Sequence, residues 1–340
     1  MKKRLFKAPS GASVPFTQLG FGSAPLGNLY RPHTEQEAQA TFAAAWKAGI
    51  RYFDTAPLYG LGLSETRLNH FLRGHKRSDY VLSSKVGRLL RVCEPSQRTA
   101  IGKFFDTPSR QEVFDYTYDG VMRSLEASLE RLGVDSIDIL FAHDCDVFTH
   151  GSEAARDAHV KTLMGGGYKA LVKLRDEKVI KAFGAGVNEY QVCETLAKQG
   201  DFDLFLLAGR YTLLEQTALD SFLPMCEARG IGIVLGGAYN SGILATGAKP
   251  GAWYNYTKAP KDILDRVRKI ETVCRAHKVG LPQAALQFPV RHPAVVSVIV
   301  GMVSPKEVAL NVKTFDAKIP KAFWKDLKAQ GLLHAGAPVG

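Results

Sequence analysis

Cysteine is scarce in this chain. The five among 340 residues, Cys93, Cys145, Cys193, Cys226 and Cys274, are an odd number without a Cys-x-x-Cys pair, which excludes a disulfide framework and a zinc knuckle and fits a reducing cytoplasm. No stretch approaches the roughly 18 apolar residues of a membrane span. The basic start, residues 1–16, has no apolar core of a secretory signal and reads as a frayed terminus. No Gly-x-Gly-x-x-Gly follows the first strand and no P-loop is present, so Rossmann and P-loop nucleotide sites are unsupported. The run Gly165-Gly166-Gly167 reads as a flexible turn, and no His/Cys/Asp cluster has metal-ligand spacing. Charge of one sign is not concentrated either: the net +11 is carried by basic residues interleaved with acids. That is a solvated surface with a mild attraction for anionic cofactors, not a nucleic-acid or membrane binder.

An apolar share of 46% with 23% charged residues belongs to an ordinary globular protein with a large core. Short apolar runs at residues 49–53, 80–84, 137–141, 179–183, 203–207, 231–235 and 295–300 read as buried strands. Helical patterns lie between and after them, at 34–48, 64–73, 118–131, 160–177, 189–198, 216–229, 262–277 and 305–314. With a first strand near Leu19-Gly20-Phe21 the repeats number eight. Such alternation means parallel strands, and eight repeats favour a closed (β/α)₈ TIM barrel over a doubly wound sheet. No Pro/Gly/Ser-rich linker interrupts the series, so one domain is expected over residues 1–340, with its core at about 16–317. Two departures follow strands, on the side where barrel active sites lie: an insertion over 87–115 and an aromatic loop over 251–256.

In a barrel, polar residues at the C-terminal ends of apolar strands converge on one cleft. Asp54 ends the second strand, Tyr59 follows five residues later, Lys85 ends the third and His143 the fourth. Together they form an acid–base set. Lys85 beside a phenol lowers its pKa from about 10, Asp54 keeps the lysine charged, and His143 can orient a substrate oxygen.

At these residues the chain resembles the aldo-keto reductases. Phe53-Asp54-Thr55-Ala56-Pro57-Leu58-Tyr59-Gly60 followed by Ser64-Glu65 is similar to the family signature. Ser83-Ser84-Lys85-Val86-Gly87 is similar to its lysine strand, Phe141-Ala142-His143-Asp144 to its histidine strand, and residues 125–133 to the helix before the histidine. Val113-Phe114-Asp115-Tyr116, Arg210-Tyr211-Thr212-Leu213-Leu214 and Tyr239-Asn240-Ser241-Gly242-Ile243-Leu244 resemble the branch of D-threo-aldose (L-fucose), D-arabinose and galactose dehydrogenases and pyridoxal 4-dehydrogenase.

The resemblance implies a nicotinamide cofactor and a small-molecule substrate. It assigns Asn188 to the nicotinamide carboxamide, Ser241, Gly242 and Leu244 to the pyrophosphate loop, Gly301, Glu307 and Asn311 to the adenosine side, and Gly22, at the first strand end, to the cofactor as well. Ala208 and Gly236 depart from the family, standing where many members have a glutamine and a tyrosine. Gly301 and Glu307 fall where NADP users often carry a lysine and an arginine, so NAD is expected over NADP. Tyr30, Trp253, Tyr254 and Tyr256 are suited to stacking on a substrate ring. The activity implied is oxidation of an aldose at C1 to the lactone. The alternatives are oxidation of the primary alcohol of pyridoxal, general aldehyde reduction, or a non-catalytic regulatory barrel resembling the potassium-channel β-subunits.

Overall fold

The structure, a computed structural model, describes residues 1–339. Eight parallel strands close into a barrel: β1 (Leu19–Gly22), β2 (Tyr52–Asp54), β3 (Val81–Val86), β4 (Ile139–His143), β5 (Ala182–Val187), β6 (Leu204–Ala208), β7 (Gly232–Gly236) and β8 (Val295–Gly301). They pair in chain order, and β8 returns to β1 with Val298 opposite Leu19 and Gly301 opposite Gly22. Helices connect and surround the strands. The one between β1 and β2, Glu35–Lys47, starts on a capping box in which Thr34 and Glu37 each satisfy the other's backbone N–H.

Strand alternation divides the side chains into two cores. Leu82, Leu140, Phe183, Phe205, Leu235 and Val298 face the helices, whereas Tyr52, Val81, Ile139, Phe141, Leu206, Val234 and Ile299 fill the barrel interior.

Three expectations change. The N-terminus is not frayed: Lys3–Lys7 and Ser13–Thr17 form an antiparallel hairpin that plugs the end of the barrel opposite the C-terminal strand ends. Phe6, Val14 and Phe16 join the interior core, and the Phe16 ring stands edge-on to Tyr52 at 4.8 Å. The alternation in Ser13-Val14-Pro15-Phe16 was the available signal. The fifth strand lies later than residues 179–183, at Ala182–Val187, because two glycines dilute its apolar pattern. Gly184 is required there, since a Cβ would overlap Leu204 O on the next strand. The glycine run is not a flexible turn. It forms most of a π-helical turn, Leu163–Gly167, between helices Glu153–Thr162 and Tyr168–Asp176, packed against the backbone at Tyr116 and Tyr118.

Both departures from the repeat sit over the mouth formed by the C-terminal strand ends. The insertion is a hairpin, Arg88–Val92 with Arg110–Phe114. Its tip folds onto the loop after β1: Phe104 is buried and bridges Leu29, and Tyr30 N–H donates to Lys103 O at 3.0 Å. The aromatic loop is a miniature hairpin, Trp253–Tyr254 with Thr257–Lys258. Asn255 and Tyr256 take its two turn positions with φ of 49° and 64°, the left-handed pair that tight hairpins need. Among the described residues no helix is long and apolar enough to cross a membrane.

Candidate active site

Period-two alternation carries the polar residues inward. Tyr52 faces the barrel interior and so does Asp54. Val81 does likewise, followed by Ser83 and Lys85. Ile139 and Phe141 lead in the same way to His143. Each apolar strand therefore delivers its last inward position as a functional group at the mouth. Tyr59 arrives by a turn, its N–H donating to Ala56 O at 3.1 Å. The turn packs backbone to backbone against Gly27, so Gly60, with φ of 65° and Gly27 O in the place of a Cβ, cannot be another residue without displacement.

The four groups meet. Lys85 Nζ donates to Asp54 Oδ2 and to Thr55 O, both at 2.8 Å. The same ammonium lies 4.6 Å from the centroid of the Tyr59 ring. The Tyr59 and His143 rings stand edge to face at 6.0 Å. Asp54 and Lys85 are almost completely buried, so each charge depends on the other. Burial opposes the charge on Lys85, but Asp54 and Tyr59 outweigh it and hold its pKa above the ordinary lysine value. For Asp54 burial wins, pushing the carboxyl up against the pull of Lys85 and Ser83.

Tyr59 corrects one expectation. Burial raises its pKa, and Lys85 pulls it back without offsetting that rise, so the phenol of the protein itself sits above its ordinary value. Desolvation of the phenolate exceeds the attraction of a lysine already shared with Asp54. His143 is held well below its ordinary pKa by burial and by Arg88, Lys85 and Lys103, and it is neutral at pH 7.

Several supports were not identified from sequence. Ser83 Oγ donates to Asp54 Oδ1 at 2.7 Å, completing the carboxylate's hydrogen bonds. Ser64 Oγ donates to Ser23 Oγ at 2.7 Å, and Ser23 Oγ to Asp54 O at 2.8 Å, which ties the signature helix to the catalytic strand. Glu65, fully buried, pairs with Arg131 at 2.6 Å and accepts from Ser84 at 2.8 Å. The signature's Ser-Glu is thus a brace. Arg88, at the base of the insertion, reaches Asp144 at 2.6 Å and Glu112 at 2.7 Å. A serine two residues before an inward lysine was the legible signal for Ser83; the Arg88 pairs join elements far apart in sequence and had none.

A cavity of about 660 Å³ opens over the ends of β6, β7 and β8; none of the four groups lines it, and Tyr256 in its wall is within electrostatic reach of Tyr59 and Asp144. Ala208, Gly209 and Gly237 line it with little side-chain bulk, so a flat ring can approach the backbone. Ser241, Gly242 and Gly301 line it too, as do Tyr30, Trp253 and Tyr256.

Other predicted residues fall elsewhere. Tyr254 is outside the lining and packs against the outer core, because neighbouring strand residues point to opposite faces; Tyr256, expected beside it, does line the cavity. Leu244 is fully buried and its N–H is donated to Tyr239 O at 3.1 Å, so neither its side chain nor its amide faces the cavity. Gly22 is paired between Asp54 and Gly301 at the strand ends. Asn188 donates to Asp144 Oδ1 at 3.1 Å and to Asp146 Oδ2 at 3.3 Å. Asn311 accepts from the Tyr239 hydroxyl at 2.7 Å and donates to Glu307 O at 2.9 Å. Glu307 accepts from Val303 N–H at 3.0 Å in the first turn of helix Pro305–Asp316.

The pattern of the Aldo/keto reductase family matches residues 18–331. Among relatives, a pyridoxal 4-dehydrogenase from Microbacterium luteolum is 42% identical over 96% of this chain and 97% of its own length. A D-threo-aldose 1-dehydrogenase from a Pseudomonas species is 39% identical over 96% and 97%. Among solved structures, the holo form of an aldo-keto reductase from Bacillus halodurans superposes with a TM-score of 0.75 at 23% identity, covering 98% of this chain and 97% of that one. With its eight-stranded barrel and the Asp54, Tyr59, Lys85 and His143 constellation at the mouth, the chain belongs to the aldo/keto reductase family and is a nicotinamide-dependent oxidoreductase.

Proposed function

We propose that the enzyme oxidises a small cyclic hemiacetal, an aldose at C1, to its lactone. The observation that carries this reading is a buried acid–base set, Tyr59 with Lys85 and Asp54, coupled electrostatically to Tyr256 in the wall of a cavity whose aromatic residues Tyr30, Trp253 and Tyr256 can cover a ring. A nicotinamide held in the cavity would supply the hydride acceptor for C1. Tyr59, as tyrosinate, takes the proton of the anomeric hydroxyl, and Lys85 stabilises that phenolate. Asp54 keeps Lys85 charged, and neutral His143 donates an N–H to the reacting oxygen. In the reverse direction the Tyr59 phenol is the general acid.

The cavity fits the cofactor. Its small-residue floor at Ala208, Gly209 and Gly237 leaves room for the nicotinamide ring, and Ser241, Gly242 and Gly301 in the same lining would take the pyrophosphate and adenosine side; Asn188, Glu307 and Asn311, outside that lining, are the carboxamide and adenosine partners that the family resemblance assigns. NAD is preferred over NADP. A 2′-phosphate would meet the Glu307 carboxylate, whereas a 2′-hydroxyl can donate to it. A lysine at position 301 is opposed by shape as well, since a Cβ there would lie 2.6 Å from Pro25 Cγ.

The 42% relative named for pyridoxal favours a second substrate of the same chemical class. Pyridoxal carries its formyl group at position 4 beside a hydroxymethyl group and closes to a cyclic hemiacetal. The pyridoxal reaction is accordingly placed at that carbon and not at the primary alcohol. The test follows cofactor absorbance with L-fucose, D-arabinose, D- and L-galactose, pyridoxal and simple aliphatic aldehydes. Hemiacetal formers should give the highest kcat/KM. An aliphatic aldehyde that cannot cyclise exceeding all of them would overturn the reading.

A further inference from the structure

Asp144 follows the histidine directly and takes a left-handed backbone conformation, φ 52°, uncommon for a residue with a side chain. It is pinned there. Its N–H donates to Gly186 O at 2.8 Å, and Arg88 Nη2 donates to its Oδ2 at 2.6 Å. Arg88 is itself buried, paired with Glu112 at 2.7 Å and stacked 4.7 Å over the Phe114 ring. The carboxylate so held faces two groups of the site. His143 Nε2 lies 3.3 Å from Oδ2, and Asn188 Nδ2 donates to Oδ1 at 3.1 Å. The other nitrogen of the histidine, Nδ1, is buried with no hydrogen-bond partner among the described residues.

A neutral imidazole carries one proton. On Nδ1 it would leave a buried N–H without an acceptor and turn the Nε2 lone pair toward a carboxylate, and both cost free energy. On Nε2 it meets Asp144. We propose that Asp144, clamped by Arg88, is a positioning residue that fixes His143 as the Nε2–H tautomer and holds Asn188 with its other oxygen. One carboxylate then sets the donor for the reacting oxygen against the residue assigned to the nicotinamide carboxamide. At 3.3 Å the pair is at ion-pair distance and is not an aligned hydrogen bond, so the carboxylate favours the proton on Nε2 by its charge and leaves the Nε2–H available to a substrate oxygen. The role in turnover rests on the proposed contact of His143 with that oxygen; the tautomer does not.

The experiment is ¹⁵N NMR of histidine-labelled protein at pH 8 without substrate, paired with steady-state kinetics. Wild type should show His143 with a protonated Nε2 and a bare Nδ1. Asp144→Ala should give mixed tautomers and a kcat about ten- to a hundredfold lower, as expected when a reacting group is mispositioned, with little change in sugar KM. Asp144→Asn, whose amide oxygen can face Arg88 and His143 but whose NH2 replaces the acceptor of Asn188, should restore the Nε2–H form and recover kcat only in part. If Asp144→Ala does not fold, Arg88→Gln, which keeps the carboxylate and frees it, should shift tautomer and kcat in the same direction. A protonated Nδ1 in wild type, or an Asp144→Ala protein with unaltered tautomer and kcat, would overturn the proposal. Because the spectrum needs no substrate, a wrong substrate assignment leaves that arm intact.

Discussion

Lys85→Met is the most informative single change, because it removes one charge from a buried pair and nearly preserves the volume of the stem. In the native protein Nζ satisfies two acceptors, Asp54 Oδ2 and Thr55 O, both at 2.8 Å. Removing it leaves a carboxylate at 1% side-chain exposure with Ser83 Oγ as its remaining side-chain donor. An uncompensated buried charge of this kind costs roughly 3–5 kcal/mol, a large part of the about 5–15 kcal/mol that holds a domain folded. Asp54→Asn in the same protein removes the charge, and the double variant should recover all but about 1–2 kcal/mol, the residue of imperfect hydrogen bonding. Urea unfolding at pH 8 reads both: with a slope of about 2–3 kcal/mol per molar, the single variant's midpoint should fall by roughly 1–2 M. That pH is suitable because a lysine whose folded pKa is raised above 10.5 contributes its stability fully below that value and loses it only as pH rises through the folded pKa. A single variant within 1 kcal/mol of wild type, or a double variant no more stable than the single, would refute the idea that the two charges sustain each other. The same variant loses the downward pull on Tyr59, so the alkaline limb of any residual oxidation should move to higher pH.

Tyr59→Phe should lower turnover by about 10²–10⁴-fold, the usual worth of a general acid–base group, with cofactor affinity by fluorescence titration nearly unchanged; a variant keeping half its activity would remove Tyr59 from the proton step. Glu307→Arg should narrow the ratio of kcat/KM for NAD over NADP, and wild type should favour NAD by roughly a hundredfold, or about 2–3 kcal/mol; equal values for the two cofactors in wild type would refute the assignment. Phe16→Ala, which empties a fully buried position of the plug, should cost about 3–5 kcal/mol in urea unfolding, and a loss below 1 kcal/mol would mean that the hairpin does not contribute to the barrel core.

What the linear chain determined here is what repeats along it. The alternation of short apolar runs with amphipathic segments specifies eight β/α units, and period-two alternation within each strand decides that Asp54, Lys85 and His143 share the inward face. Strand-end position therefore placed Asp54, Lys85 and His143 at one end of a barrel, and the family motif added Tyr59, which a turn carries to the same end. The glycine-dilute fifth strand was misplaced because its apolar signal is weak where Gly184 must admit the neighbouring backbone. The N-terminal hairpin was missed because a short polar-flanked segment has no partner until the barrel exists to receive Phe6 and Phe16.

Only the tertiary structure decided the balance of charges and the direction of side chains in loops. Burial of the Tyr59 phenol outweighs its lysine, a comparison of desolvation with attraction that depends on three-dimensional packing. Trp253 and Tyr254 are adjacent in sequence, yet one lines the cavity and the other the core, and a two-residue turn brings Tyr256 to the mouth instead. The Arg88, Asp144 and Asn188 contacts join an insertion to the ends of two strands across 100 positions of chain, from 88 to 188. Local pattern encodes which face a residue occupies; which charges meet across a closed barrel is set by closure, because each partner's distance depends on every strand between them.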